Sequence, residues 1–376
     1  MQLRVAGDVT VPFLDLGTIH APLKEQILAD VAALIDSSAF TNGPAVAEFE
    51  RDFARHCGAA ECVGLASGLD ALRLGLLAAG IEEGDEVIVP ANTFVATLEA
   101  VTQAGGVPVP VDVSEEDYNL DPDSVAEAIG TWTRFILPVH LYGQLADMAS
   151  LRAIAAVHGL GIVEDACQAH GARRDGFAPG AGTTAAFSFY PGKNLGAMGD
   201  AGALVTEDPG LAETVRALRE HGQREKYHHE LEGYTARLDT IQALVLRHKL
   251  RLLDGWNEER RQVAALYGEG LAGVGDLILP PVPPGSEPVW HLYVIRTADP
   301  LALAAFLRDR GIATGRHYPE PPHLSRAYAW LGYERGAFPV TEELAPTLLS
   351  LPIYPGMSEL QAETVVEGVR AFFGYV

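Results

Sequence analysis

The chain has 376 residues, 48% of them hydrophobic, more than one hydrophobic core usually serves, so two domains of unequal size are expected. A charged content of 20% and an aromatic content of 8% exclude a mainly disordered polypeptide. The formal charge of −23, from 50 acidic against 27 basic residues, repels a phosphate backbone and excludes nucleic acid as a partner, while an anionic small molecule would need local cations or backbone amides.

From the N-terminus, MQLRVAGDVTVPFLDL holds no apolar run long enough for a signal peptide, and nowhere do eighteen apolar residues follow one another, so a cytoplasmic protein without a membrane partner is expected. From about residue 60 to 165, short β-rich runs alternate with segments of helical period. Strands are predicted at 61–65, 86–90, 107–111, 135–140 and 161–165, with helices at 69–79, 94–104, 122–129 and 149–158. That alternation predicts a mostly parallel sheet flanked by helices, an α/β domain. Further strands are expected at 183–189 and 201–206, then a helix at 209–220. Apolar spacing from Arg237 to Leu266 predicts one or two long helices with a break at Gly255. A Pro-rich loop (280–288), a strand (289–296) and helices at 300–310 and 358–372 suit a small α+β domain. The expected division is a large domain over 15–250 and a small C-terminal one over 251–376. Cys57, Cys62 and Cys167 show no CxxC spacing, so neither a metal site nor a disulfide framework is indicated.

Two motifs mislead. Gly180, Gly182 and Ala185 fit GxGxxA, but strand-like AAFSFY follows where a dinucleotide fold needs a helix. GKN at 192–194 resembles a P-loop, yet Phe187 stands where the first Gly must be and Asn194 replaces Ser or Thr. The informative segment is SFYPGKNLGAMGDAG (188–202), in which Lys193 is enclosed by glycines and small residues. Asp165 ends the run GIVED, at the strand terminus where open α/β sheets place ligand contacts. A carboxylate there can keep a pyridine nitrogen protonated, and only a protonated ring acts as an electron sink. Glu164, its neighbour, points to the opposite side of the strand. In SGLDAL (67–72), Gly68 opens a helix whose free N–H groups suit a phosphate. A phosphate cup, a strand-end Asp and a Gly-flanked Lys, in that order, describe a fold-type-I pyridoxal-phosphate enzyme.

Over nearly its whole length the chain resembles the DegT/DnrJ/EryC1/StrS family of sugar aminotransferases. The resemblance runs through TNGPAVAEFE (41–50), ASGLDAL (66–72), PANTFVAT (90–97), PVHLYGQLADM (138–148), EDACQAHGA (164–172), SFYPGKNLGAMGDAG (188–202) and ARLDTIQA (236–243). It implies that Lys193 forms the Schiff base with pyridoxal 5'-phosphate, that Asp165 partners the ring nitrogen, and that Gln168 lies beside the ring hydroxyl. Phe94 matches the aromatic that stacks on the ring. Ser188 and the amides of Gly68, Leu69 and Asp70 match the phosphate cup, and His317 and Tyr318, in GRHYPEPPH, a sugar-side segment. Where the family often has an Asn reaching the phosphate of the neighbouring subunit, this chain has the shorter Thr235. A homodimer with shared active sites follows, Arg237 lying in the same segment.

The resemblance further implies that an amino acid, glutamate, gives its nitrogen to a keto sugar. A nucleotide diphosphate on that sugar, dTDP or UDP, would account for the basic run that includes Arg224, Lys226 and His228. KYHH before GYTARLDTIQA looks more like members acting at sugar C3 than at C4. Family members that act on a keto-inositol or dehydrate the sugar, and a cofactor-bound regulator on the same fold, are the alternatives. The lysine retained at 193 favours transamination, since dehydrating members carry His there.

Overall fold

The computed structural model describes residues 9–375. The chain opens with helices α1 (Leu16–His20), α2 (Lys24–Ser37) and α3 (Pro44–Cys57). Strand β1 (Glu61–Leu65), α4 (Gly68–Ala78), β2 (Glu86–Pro90), α5 (Ala96–Gln103) and β3 (Val107–Val111) follow, then α6 (Pro122–Ala128), β4 (Thr133–Ile136), α7 (Met148–His158) and β5 (Gly161–Asp165). After the short β6 (Arg173–Arg174) come β7 (Thr184–Ser188), β8 (Gly202–Thr206), α8 (Pro209–Arg219) and the β9 (Gln223–Glu225) and β10 (His228–His229) hairpin. The chain continues with α9 (Thr240–Leu250), α10 (Leu253–Leu271), β11 (Ser286–Glu287), β12 (Tyr293–Arg296), α11 (Pro300–Arg308), α12 (Pro339–Thr347), β13 (Leu348–Leu351) and α13 (Glu359–Phe372).

Seven strands form one sheet in the order β1-β8-β7-β5-β4-β2-β3. This is the mostly parallel α/β sheet that the alternation predicts. Only β8 runs against its neighbours, antiparallel to both β1 and β7. An antiparallel pair needs no crossover helix, so the 189–201 connection stays at the carboxyl edge of the sheet, and Lys193 with it. The strands are buried on nearly every residue, as expected when helices cover both faces. One core packs α4, α5 and α8 on the sheet, with Leu72, Val101 and Val215 fully buried, and another fits Phe49 and Phe53 of α3 and Leu246 of α9 against the opposite face. A third gathers Tyr267, Tyr293, Leu307, Leu351 and Val369 from α10 to α13, and Val11 joins it by pairing with Ile312.

Several boundaries differ from expectation for local reasons. The strand expected to reach His140 stops at Ile136, because Pro138 has no N–H for the ladder; pairing resumes irregularly at Val139 with Asp165. The strand expected from Val289 begins at Tyr293, after Trp290 takes a positive φ of 47° that interrupts extended backbone. The helix break falls at Arg251–Leu252, and α10 runs straight through Gly255, beside which a side chain would have open space. Among the described residues no helix is long and apolar enough to cross a membrane.

Candidate active site

The carboxyl ends of β5 and β7, the N-terminus of α4 and the β12 approach enclose a cavity of about 530 Å³. Lys193, Asp165, Ser188, Gln168, Gly68 and Phe94 all line it, so residues scattered over 126 positions (68 to 193) meet in one place. Topology produces this: parallel strands end together, and the β7–β8 connection folds back over them.

Asp165, 7% exposed, is the last residue of β5. Its Oδ2 accepts from Thr97 Oγ1 at 2.9 Å and its Oδ1 from the Cys167 amide at 3.1 Å. Because Thr97 spends its one hydroxyl proton on the carboxylate, its 2.8 Å contact with Thr93 Oγ1 must be a bond donated by Thr93. The result is a directed chain from Thr93 through Thr97 to Asp165. Glu164, one residue earlier, faces the other side of the strand. It is fully buried and accepts from His140 Nε2 at 2.9 Å and the Gly180 amide at 3.1 Å.

The Lys193 amine faces the cavity, and burial pushes its pKa down, against the pull of Cys167 and Asp165. Its loop is held firmly. Asn194 donates to Asn257 Oδ1 at 2.9 Å and to Val289 O at 2.8 Å, while its own Oδ1 accepts from His291 Nδ1 at 3.2 Å. A second buried lysine, Lys249, ties down the same loop from α9 by donating to Gly196 O at 2.5 Å, and lies outside the cavity lining.

At the α4 N-terminus, Ser67 is the N-cap: its Oγ accepts the Asp70 amide at 3.0 Å. That amide is therefore already satisfied, and Asp70, which does not line the cavity, turns its carboxylate to Arg73 at 2.6 Å. The amides of Gly68 and Leu69 keep no protein acceptor among the described residues. Helix and sheet meet so tightly here that a Cβ on Gly68 would lie 2.7 Å from both Cys167 Sγ and Ser188 Cβ.

Gln168 accepts the Tyr142 amide at 2.7 Å and donates to Tyr318 Oη at 3.2 Å. Phe94 is 50% exposed, its ring 5.4 Å from that of Tyr318. His317 reaches the cavity with Nδ1 2.8 Å from Ser350 Oγ, and burial pushes its pKa down to about 4. The remaining substrate-side expectations fall elsewhere. Arg224 pairs with Glu230 at 3.0 Å, Arg237 with Glu220 at 2.8 Å, and Thr235 lies 3.3 Å from His221. Lys226 and His228 project from the exposed β9–β10 hairpin. None of the five lines this chain's own cavity: the β9–β10 hairpin carries Arg224, Lys226 and His228 outward, and the segment after it pairs Thr235 with Glu220 and Arg237 with Leu65. Among the cavity residues that escaped the sequence reading are Arg260 and His291. Neither belongs to a motif; both arrive from elements distant in sequence, α10 and the approach to β12.

The profile described as the DegT/DnrJ/EryC1/StrS aminotransferase family matches residues 22–370. The chain is 50% identical over 96% of its length to the erythromycin biosynthesis sensory transduction protein EryC1 of Saccharopolyspora erythraea, of which 99% is covered. It is also 50% identical over 96% of its length to the dTDP-3-amino-3,4,6-trideoxy-alpha-D-glucose transaminase of Streptomyces venezuelae, 95% of which is covered. The crystal structure of DesV from S. venezuelae superimposes with a TM-score of 0.96 at 49% identity, covering 98% of this chain and 100% of that one. The chain belongs to the DegT/DnrJ/EryC1/StrS aminotransferase family.

Proposed function

We propose that this protein moves an amino group from an amino acid, L-glutamate, to a dTDP-linked 3-keto-hexose, acting as a cytoplasmic homodimer. The observation that carries the reading is the meeting of the Lys193 amine and the Asp165 carboxylate in one cavity. The similarity to the S. venezuelae transaminase supports the nucleotide and the sugar position.

Pyridoxal phosphate is the cofactor of this family, and the residues present fit it. The unpaired Gly68 and Leu69 amides with Ser188 would take the phosphate, at a helix end that attracts anions. Asp165 would hold the ring nitrogen, Gln168 the ring-hydroxyl side, and Phe94 one face. When bound, the cofactor supplies an electron sink for the bonds at the substrate carbon. Lys193 carries protons at that carbon, a role for which its amine must be partly neutral, and its lowered pKa supports this. Thr97 and the Cys167 amide, each donating to one carboxylate oxygen, hold Asp165 aimed.

In the proposed dimer, the β9–β10 hairpin and Thr235 serve the neighbouring subunit's site. Among the described residues Lys226 keeps no acidic partner within ion-pair distance, which leaves it available for a diphosphate. Leu28 and Ile35, two turns apart on α2, and Phe40 expose apolar side chains suited to an interface. We place the domain boundary after α9, near residue 250. A regulatory reading draws on the name of the S. erythraea relative, and the intact set of Lys193, Asp165 and Ser188 argues against it. The test is a panel of dTDP- and UDP-linked 3-keto and 4-keto sugars offered with glutamate. Amination of the dTDP 3-keto sugar in preference to the others is expected; turnover of none of them would overturn the reading.

A further inference from the structure

Arg260, on α10, lines the same cavity and is only 2% exposed. Among the described residues no carboxylate lies within ion-pair distance of it. Its neighbour Glu259 is turned away to accept the Gly356 amide at 2.7 Å. Every hydrogen bond of the guanidinium leaves from Nη1, to Ile353 O at 2.8 Å, Trp290 O at 3.0 Å and, weakly, His291 O at 3.5 Å. Nε is buried with no partner, and Nη2 donates to no protein group. A desolvated cation held only by carbonyl dipoles is costly, and burial pushes its pKa down. An arriving carboxylate would relieve that cost, and arginine offers such a group a planar fork.

The other charges around the cavity narrow the ligand. Among the described residues, Lys193 and Arg260 are the only Lys or Arg side chains on its wall, facing the acids Asp165, Glu99 and Asp200. Lys193 must gain and lose protons during turnover and cannot serve as a fixed counter-ion. His291 is held neutral: Asn194 fixes its Nδ1 as the donor, and burial pushes its pKa well down. Arg260 is thus, among the described residues, the one permanent cation that lines the site.

We propose that Arg260 binds a carboxylate of the amino-acid donor, and that the sugar half of the cycle leaves it unpaired. The proposal rests on the aminotransferase reading above. It explains how a strongly acidic protein admits an anionic amino acid to the same cavity as a sugar.

The test compares L-glutamate with its α-amide and its γ-amide, L-glutamine, in the wild type, Arg260→Gln and Arg260→Lys. Loss of the visible band of lysine-linked cofactor reports the donor half-reaction, and the sugar half-reaction is followed from the pyridoxamine-loaded protein. Binding of glutarate, an unreactive dicarboxylate, is measured alongside. In the wild type, one of the two amides should react about 100-fold less efficiently than glutamate, as for truncation of one partner in a buried charge pair. Arg260→Gln should shrink that discrimination to about tenfold or less and weaken glutarate to match, Arg260→Lys should restore part of both, and the sugar half-reaction should hold within about threefold. Discrimination that persists in Arg260→Gln, a wild type indifferent to both amides, or equal losses in both half-reactions would overturn the proposal. If Arg260→Gln does not fold, Arg260→Lys and the wild-type amide series decide. Should glutarate bind through Arg260 while no amino acid changes the band, the transaminase reading falls and the subsite stands; absence of glutarate binding removes the subsite.

Discussion

Lys193 and Asp165 differ in how their environments prepare them. Burial lowers the Lys193 pKa from its ordinary value, so its amine becomes neutral at lower pH than a solvated lysine. Attachment of cofactor to the apoprotein needs that neutral amine. Its rate should therefore rise with pH and level off below about 10.4, the ordinary lysine value. A profile still climbing past that point would show that the amine is not desolvated. Borohydride should fix the cofactor at Lys193, and peptide mapping should find nothing on Lys226 or Lys249. Asp165 is prepared by its donors. Asp165→Asn removes the charge, and turnover should drop by several orders of magnitude with the fold intact. Thr97→Val removes only the 2.9 Å bond that aims the carboxylate. A loss of about tenfold to a hundredfold in kcat is expected for a bond to a charged group, with a shift in the pH dependence of the cofactor's absorbance. An unchanged spectrum would reduce Thr97 to packing.

At the level of elements, the α4 N-terminus owes its availability to a division of labour among its first residues. Ser67 caps the helix through the Asp70 amide, which leaves the Gly68 and Leu69 amides for a ligand. Gly68 is required by the close approach of α4 to β7, where a Cβ would sit 2.7 Å from Ser188 Cβ and Cys167 Sγ. Gly68→Ala should push the helix end away from Ser188 and weaken cofactor retention at least tenfold, about 1.4 kcal/mol, while thermal unfolding of the apoprotein shifts far less. Titration of apoprotein with cofactor, followed by absorbance, checks this; unaltered affinity would mean that the phosphate is held elsewhere.

For the whole molecule, the outward β9–β10 hairpin and the enclosed cavity pose a geometric question that a single subunit does not answer. The proposed dimer answers it, since a twofold axis lets one hairpin complete each of two sites. Mixing a Lys193→Ala protein with one altered at Lys226 and Thr235 should restore part of the activity once subunits exchange. One of the two sites in such a hybrid has both intact elements, drawn from different chains. Demonstrated exchange without recovery, or a fully active monomer in sedimentation, would remove the shared site.

The sequence by itself determined the family, the order of the sheet-forming segments and the residues that arrive at the carboxyl edge. Those features are written in local signals: the apolar strand runs, the N-capping Ser67, the glycines around Lys193, and Asp165 as a strand terminus. Tertiary structure decided what local signals cannot encode. A side chain's direction depends on the element that carries it, so Arg224, Lys226, His228, Thr235 and Arg237, close in sequence to one another, leave the cavity together on one hairpin and its base. Competition for a single donor is settled only in three dimensions, as when Ser67 claims the Asp70 amide. Arg260 and His291 enter the site because α10 and the approach to β12 pack over the Lys193 loop through Asn194 and Asn257. That long-range packing is set by the shapes of whole elements, and no short stretch of sequence contains it.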